Sequence, residues 1–514
     1  MKKLSKYFLL YILSVLIFLT ACSDGEDGKN KSRGENAIIA LQMRQPETFN
    51  PLVVKNHSVR DAFSLCYEPL FEIGKDMNAQ GVLATTIQVS DDCMSAVIIL
   101  KDSVVWHDGI KFTSADVAHT VNVLKENPSW PYYKCVEYID SVQVIDPLSL
   151  KLTLSRPYGQ IVYSLSFPVI ASHNSDIDTK IIGTGPYCMD KYTTASLLEL
   201  KAFDSWHGGN AICRKVNVSI VRDAQTATTS FNTGLISAVT DESFDTRNTV
   251  PRKSTRITKY PSSKYEFMVM NHGKWPFTSQ IVRSAISSAV NREAIVSECY
   301  NGNAVATNSP MYPVKREGMA TSASTQYSLA NTNELLFLEG FVSDESSGIL
   351  KNENGREFTF ELLVNSENPE RISTAQLLRQ QLFQAGINVN IREVGFEEYS
   401  KRVRSGEFDA YLGGIRMLNL YDFSFLLSGS GSMGNYGYSD QQMQTVLDAL
   451  ASSPSDESRI NAAVNFEELF LREQPICGIA FKNDLLLTEE NIKGNIFAGL
   501  NDPYRSVANW KTGK

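Results

Sequence analysis

An α/β fold with mixed sheets is predicted by a step from strand to helix and back to strand that recurs along the chain. Residues 216–240 (VNVSIVRDAQTATTSFNTGLISAVT) alternate apolar and polar, turn helical, then give a further strand, one βαβ unit. Residues 358–364 alternate as a strand, residues 374–385 read as a helix closed by Gly386, and Ile387, Val389 and Ile391 alternate again. A helix over 396–404 ends at Gly406 and leads into a strand over 408–412.

The chain opens with a leader. Lys2, Lys3 and Lys6 precede an apolar run over residues 7–19, too short for a spanning helix, which needs ~20 residues, so it reads as a secretory signal. It ends Leu19-Thr20-Ala21-Cys22, which resembles a lipoprotein signal-peptidase site with Cys22 as the lipid-bearing residue. Residues 23–35 (SDGEDGKNKSRGE) contain no apolar side chain and read as a flexible tether reaching about 20 Å. Its acidic residues Asp24, Glu26 and Asp27 leave the membrane face open.

Nearly 500 residues remain after cleavage, enough for about three domains. The net charge of -8 argues against a nucleic-acid surface. Seven cysteines stay after Cys22, an odd number with no CxxC spacing, so a structural zinc site is not expected. The six histidines are scattered and no pair falls at i, i+4, so no histidine metal site is expected either.

The densest local signal is residues 100–124, LKDSVVWHDGIKFTSADVAHTVNVL. Asp108-Gly109 is a turn, Thr113 is a helix N-cap with Asp116 in the first turn, and Val117, Val121 and Leu124 form one apolar face. Trp106 reads as a buried anchor of the turn, and Trp-His-Asp as packing rather than chemistry. Asp91-Asp92 is a hairpin turn, and strands over 142–145 and 150–154 meet at Asp146-Pro147. Trp130-Pro131-Tyr132-Tyr133 is expected to break the helix begun near Thr113. The glycines of Gly183-Thr184-Gly185-Pro186-Tyr187 are expected to serve backbone angles, since no helix follows to hold a phosphate. Thr278 is expected to cap the helix whose buried side carries Ile281, Ala285, Ala289, Val282, Ile286 and Val290, with Arg292-Glu293 at a solvated end. Enzyme motifs HExxH, GxSxG and the Walker lysine are missing. Residues 429–434 satisfy GxGxxG, but no helix opens on them, so they read as a loop.

Several stretches together resemble one family. VVWHDGIKFTSADVAHTVNVL, LCYEPLFEIGKD (65–76), GTGPY (183–187), LLELKAFDSWHGG (197–209), the run from Lys264 to Val296, NELLFLEGF (333–341), PICGIAFKNDLLLT and NDPYRSVANW follow the order of the family 5 extracytoplasmic solute-binding proteins. These are the oligopeptide-, dipeptide- and nickel-binding components of ABC importers. The resemblance implies a two-lobed, periplasmic-binding-protein-like clamp with an extra smaller domain on the first lobe. It places a signal peptide at 1–22, a tether at 23–36, lobe I at 37–53, 172–262 and 482–514, the smaller domain at 54–171 and lobe II at 263–481.

It further implies no catalysis and no cofactor, but a monomeric lipoprotein outside the cytoplasm. Such a protein captures peptides or a similar small solute and delivers them to an ABC permease and its ATPase. An alternative of the same fold is a peptide-sensing or adaptor lipoprotein without transport. The cleft candidates carried over are Tyr132, Tyr133, Asn271, Arg416, Asn419, Tyr421, Asp422, Asn435 and Tyr436. Residues 413–423 are expected as the cleft loop. There the chain departs from the family's W-x-A-D-Y pattern: Leu418 or Asn419 falls where an Asp would meet a peptide amino group, and Asp422 is displaced.

Overall fold

The computed structural model describes residues 38–74, 76–241, 254–313, 326–417, 421–427, 433 and 435–513. The leader with Cys22, the tether, Asn419 and all of the GxGxxG stretch except Met433 lie outside the described residues.

The first lobe is built on a four-stranded mixed sheet. Ile38–Met43 pairs parallel with Lys215–Ile220, followed by antiparallel Leu197–Ala202 and Tyr187–Thr193. Leu41, Tyr187, Tyr504 and Trp510 close its core. The smaller domain is an antiparallel sheet in the order Ala84–Val89, Ser95–Leu100, Ser149–Leu154, Ile139–Asp146. The helix Ser114–Lys125 buries Val117, Val121 and Leu124 in the core that it shares with this sheet. Thr113 is its N-cap, and Asp116 gathers the surroundings: its carboxylate accepts from Thr113 N–H at 2.9 Å, Trp106 Nε1 at 3.4 Å and Ser172 Oγ at 2.7 Å.

The largest sheet joins the lobes. Two antiparallel strands, Thr255–Met270 and Cys477–Glu489, run through it side by side. At one end Tyr260 and Leu486 lie in the first-lobe core; at the other, Tyr265, Phe267 and Phe481 lie in a second-lobe core. The register slips between Pro261 and Tyr265, where Ser262 Oγ bonds Lys482 O at 2.8 Å and Lys264 Nζ meets Asp484 at 2.9 Å. Beyond the slip, the sheet continues through Ala410–Arg416, Thr359–Asn365 and Asn388–Val394.

Several expectations are corrected. The strand before the cleft runs to Arg416, so residues 413–416 are ladder rather than loop. Gly413 and Gly414 sit where a Cβ would come within 2.8 Å of the Phe267 ring and 2.3 Å of the Glu266 carboxylate. Ser279, not Thr278, caps the helix Gln280–Ala289. Arg292 is not solvated: it is 4% exposed and bonds Gly478 O at 2.8 Å and Ser287 Oγ at 2.8 Å. The helix read from residue 374 begins at Pro369, capped by Asn368. The strands on either side of Ala224–Asn232 fall in separate sheets, which touch where Ser237 N–H bonds Ala40 O at 2.7 Å. All seven described cysteines are free thiols.

The Trp106–Gly109 turn and the 183–187 turn, remote in sequence, are bound together by one imidazole. His107 Nδ1 accepts from Gly183 N–H at 3.2 Å, and Nε2 donates to Gly185 O at 3.1 Å. Gly183 and Gly185 are small because a Cβ would stand 1.8 Å and 2.8 Å from backbone atoms of residues 65–66; neither has a positive φ. Close approach, not backbone angle, requires them.

The first of these bonds needs a bare Nδ1, and burial holds the His107 pKa down at about 4 against an ordinary 6.5. His272, also pushed down to about 4 by burial, donates Nε2–H to Pro475 O at 2.9 Å. The unfolded chain therefore takes up these protons before the folded one. Their contribution is complete above pH ~6.5 and is lost as pH falls toward ~4, by roughly 2–3 kcal/mol per residue. Thermal unfolding from pH 7 to pH 4 is expected to show a falling Tm in that window. His107→Gln should unfold at a lower temperature at pH 7 but show a shallower acid slope; an unchanged slope would contradict the assignment.

Candidate functional site

Where the lobes face each other the structure encloses a cavity of about 490 Å³. Its first-lobe wall begins with the helix His57–Phe63, started by Asn56, whose side chain accepts from Ser58 N–H at 3.1 Å. Val59, Ala62 and Phe63 are buried, which leaves Arg60, Asp61 and Ser64 toward the cavity. The short strand Phe71–Ile73 follows; Phe71 belongs to the smaller domain's core and, with Glu72, lines the cavity.

Glu68, 7% exposed, is fully engaged: Oε1 accepts from Trp206 Nε1 at 3.0 Å, and Oε2 faces His207 Nε2 at 2.9 Å. Glu72 forms an ion pair with Arg505, whose second nitrogen bonds Ile73 O at 3.0 Å. Burial pushes the Glu72 carboxyl up to about 7; Arg505 opposes the rise, and Asp502 and Glu68 add to it. Asp502 accepts from Ser64 Oγ at 3.3 Å and Tyr504 N–H at 3.2 Å, and burial holds it above the usual carboxylate range. Around Arg505 the carboxylates of Glu72, Asp502 and Glu68 gather, with Lys101 as a second cation that draws Glu72 down.

The second lobe contributes Arg416 and Met417 to the lining. They reach the cavity because the strand Ala410–Arg416 ends beside the register slip: Arg416 is in register with Lys264, and Met417 N–H bonds Ser263 O at 2.9 Å. Arg416 Nη1 donates to Asn501 Oδ1 at 2.7 Å, linking the lobes across the rim.

Of the sequence candidates, the cavity brings together Tyr132 and Arg416. Tyr132 sits beside Arg60, and burial raises its phenol pKa. Tyr133 packs on the smaller domain's core and does not line the cavity. Nor does Asn271: its amide donates to Gly406 O at 3.2 Å and Phe408 O at 3.1 Å and accepts from Gly273 N–H at 3.0 Å, which makes it a turn brace. Tyr436 is 1% exposed in the second-lobe core, its hydroxyl on Leu426 O at 2.8 Å, and Asn435 is exposed next to it. Tyr421 and Asp422 border a separate, far smaller gap between the lobes.

Residues the sequence reading passed over carry much of the wall: Glu68, Glu72, Trp206, His207, Asp502 and Arg505. Each lies inside a stretch read only as a fold marker. The available signal was an acidic residue amid apolar neighbours, as in Tyr67-Glu68-Pro69-Leu70-Phe71-Glu72. Among the described residues, no three His, Cys, Asp or Glu side chains gather as a metal site.

The architecture and the cleft agree with comparisons against known proteins. The model of the bacterial extracellular solute-binding proteins, family 5, matches residues 78–436 of the 514. The oligopeptide-binding protein AppA of Bacillus subtilis is 22% identical, covering 98% of this chain and 98% of its own. The crystal structure of NikZ from Campylobacter jejuni in complex with Ni(L-His) superposes with a TM-score of 0.68 at 22% identity, covering 92% of this chain and 99% of that one. The substrate-binding protein CtaP from Listeria monocytogenes superposes with a TM-score of 0.77 at 19% identity, covering 93% and 99%. With a two-lobed fold, an interlobe cavity and a family match over most of its length, this chain belongs to the family 5 extracellular solute-binding proteins of ABC importers.

Proposed function

We propose that the chain captures a short peptide, or a small solute of similar charge, in the interlobe cavity and delivers it to an ABC permease from a lipid anchor at Cys22. The observation that carries this reading is the cavity itself. Its volume of about 490 Å³ falls within the ~300–1,000 Å³ of small-molecule pockets, which suits a compact solute. Cationic and anionic groups face it from different elements, as the two ends of a zwitterion require. Arg416 stands on the second-lobe side and the Glu72–Asp502–Arg505 group on the first. A peptide ammonium entering the carboxylate-rich end would offset the burial that holds Glu72 up at about 7, because a nearby cation favours the charged carboxylate.

The clamp reading takes residues 37–53, 172–262 and 482–514 as the first lobe, 54–171 as its smaller domain and 263–481 as the second. Solute touches both lobes only when they meet, so its differential affinity draws the equilibrium toward the closed form. The permease would then read the closed surface.

Trp206 lies on the cavity wall with its indole N–H on Glu68. Addition of a tryptic peptide pool is therefore expected to change tryptophan emission, and Trp206→Phe should remove most of that change. A response to a sugar or metal chelate with none to peptides would refute the peptide assignment.

Charge-assisted hydrogen bonds contribute about 1.5–3 kcal/mol, so blocking the solute's amine by N-acetylation should weaken binding roughly 10- to 100-fold. Glu72→Gln should narrow the gap between free and acetylated peptides in calorimetric titrations. Equal affinity for both forms in the wild-type chain would show that the acidic end does not read an amine.

Cys22→Ser should move the protein from the membrane fraction to the soluble one, since acylation supplies ~0.8 kcal/mol per buried methylene. Persistent membrane association would argue against the anchor.

A further inference from the structure

Away from the cavity the lobes meet a second time, and there the fit is tighter. The segment after the strand Ser149–Leu154 meets the C-terminal end of the second-lobe helix Gln441–Ala451. Gly159 N–H donates to Ala451 O at 2.6 Å, and Gln160 Nε2, on a fully buried side chain, donates to Leu450 O at 2.8 Å. The last carbonyls of a helix have no partners in their own ladder and carry its partial negative charge. Here the opposite half of the molecule supplies donors to two of them.

The flanking contacts have the same sense. Arg156 lies 3.8 Å over the Tyr138 ring and faces Asp422 at 3.9 Å. The Tyr163 and Tyr421 rings are 4.8 Å apart, with Arg459 over them at 5.1 and 5.2 Å. Asp422 also accepts from Ser424 N–H at 3.1 Å, so its carboxylate serves this junction rather than the cavity.

Gly159 makes the approach possible. A Cβ there would stand 2.0 Å from Ser453 O and 2.7 Å from its carbonyl carbon, both backbone atoms of the other half. Its φ is not positive, so alanine is conformationally allowed; within its own half the nearest obstacle is Cys93 Sγ at 3.1 Å. While the halves are apart an added methyl group presses on one side-chain atom, Cys93 Sγ, which must give by a few tenths of an ångström; when the halves meet it runs into backbone.

We propose that residues 156–160 are a closure latch on the helix Gln441–Ala451, and that Gly159 sets solute affinity without touching solute. The inference rests on the clamp reading above. If binding requires the closed form, apparent affinity scales with the fraction of molecules able to close.

The test is small-angle scattering and calorimetric titration of the wild-type chain, Gly159→Ala and Gln160→Met, with a tryptic casein digest and with Ni(II)–L-histidine as separate probes. With whichever probe compacts the wild type, Gly159→Ala is expected to stay extended and bind at least 10-fold more weakly. Its ligand-free Tm should match the wild type, and Gln160→Met should lose several-fold. Compaction of Gly159→Ala at wild-type probe concentrations would overturn the latch. Failure of the peptide reading looks different, because the wild type then compacts with the chelate alone and the variant comparison still decides the latch.

Discussion

Everything in the cleft depends on one pairing, the antiparallel run of Thr255–Met270 against Cys477–Glu489 through both lobes. Buried backbone groups must find partners, so a sheet that serves two cores cannot bend freely along its length. The ladder is broken between Pro261 and Tyr265. Between Pro261 and Tyr265 side chains replace the missing ladder bonds: Ser262 on Lys482 O, Asn501 on Ser263 N–H, and Lys264 against Asp484. That puts the break at the edge of the cavity, which both Ser263 and Asn501 line. It also puts Arg416, one strand over in register with Lys264, on the cavity wall.

The cavity itself is electrostatically unsettled. Glu68 is fully hydrogen-bonded, but Glu72 and Asp502 share one guanidinium, and burial penalises their charged forms. Removing water strengthens each of these interactions, since Coulomb energies grow as the local dielectric falls. The imidazole of His107, by contrast, is structural. It is neutral, holds two turns together and lies outside the cavity lining.

Local chemistry was readable in the sequence wherever its cause was local. Thr113 with Asp116, Gly386 and Gly406 mark helix ends because capping is decided by residues a few positions apart. The misreadings have tertiary causes. Gly413-Gly414 looks like a loop but is strand packed against Phe267 and Glu266, and Arg292 looks like a solvated helix end but bonds a carbonyl of a distant strand. The cavity wall joins positions as far apart as Arg60, Trp206, Arg416 and Arg505. No spacing rule connects such residues. Tyr132 and Arg416 were reachable through resemblance, whereas Glu72 and Arg505 required the folded chain.

The central claim is that solute is held between the two halves with both in contact. A crystal structure of the chain purified without denaturation, with its retained solute, tests it most directly. The account predicts solute bounded by Glu72 and Arg505 on one side and Arg416 on the other, with the lobes together. Solute bound elsewhere on the surface, or held in the cleft with the lobes apart, would contradict it.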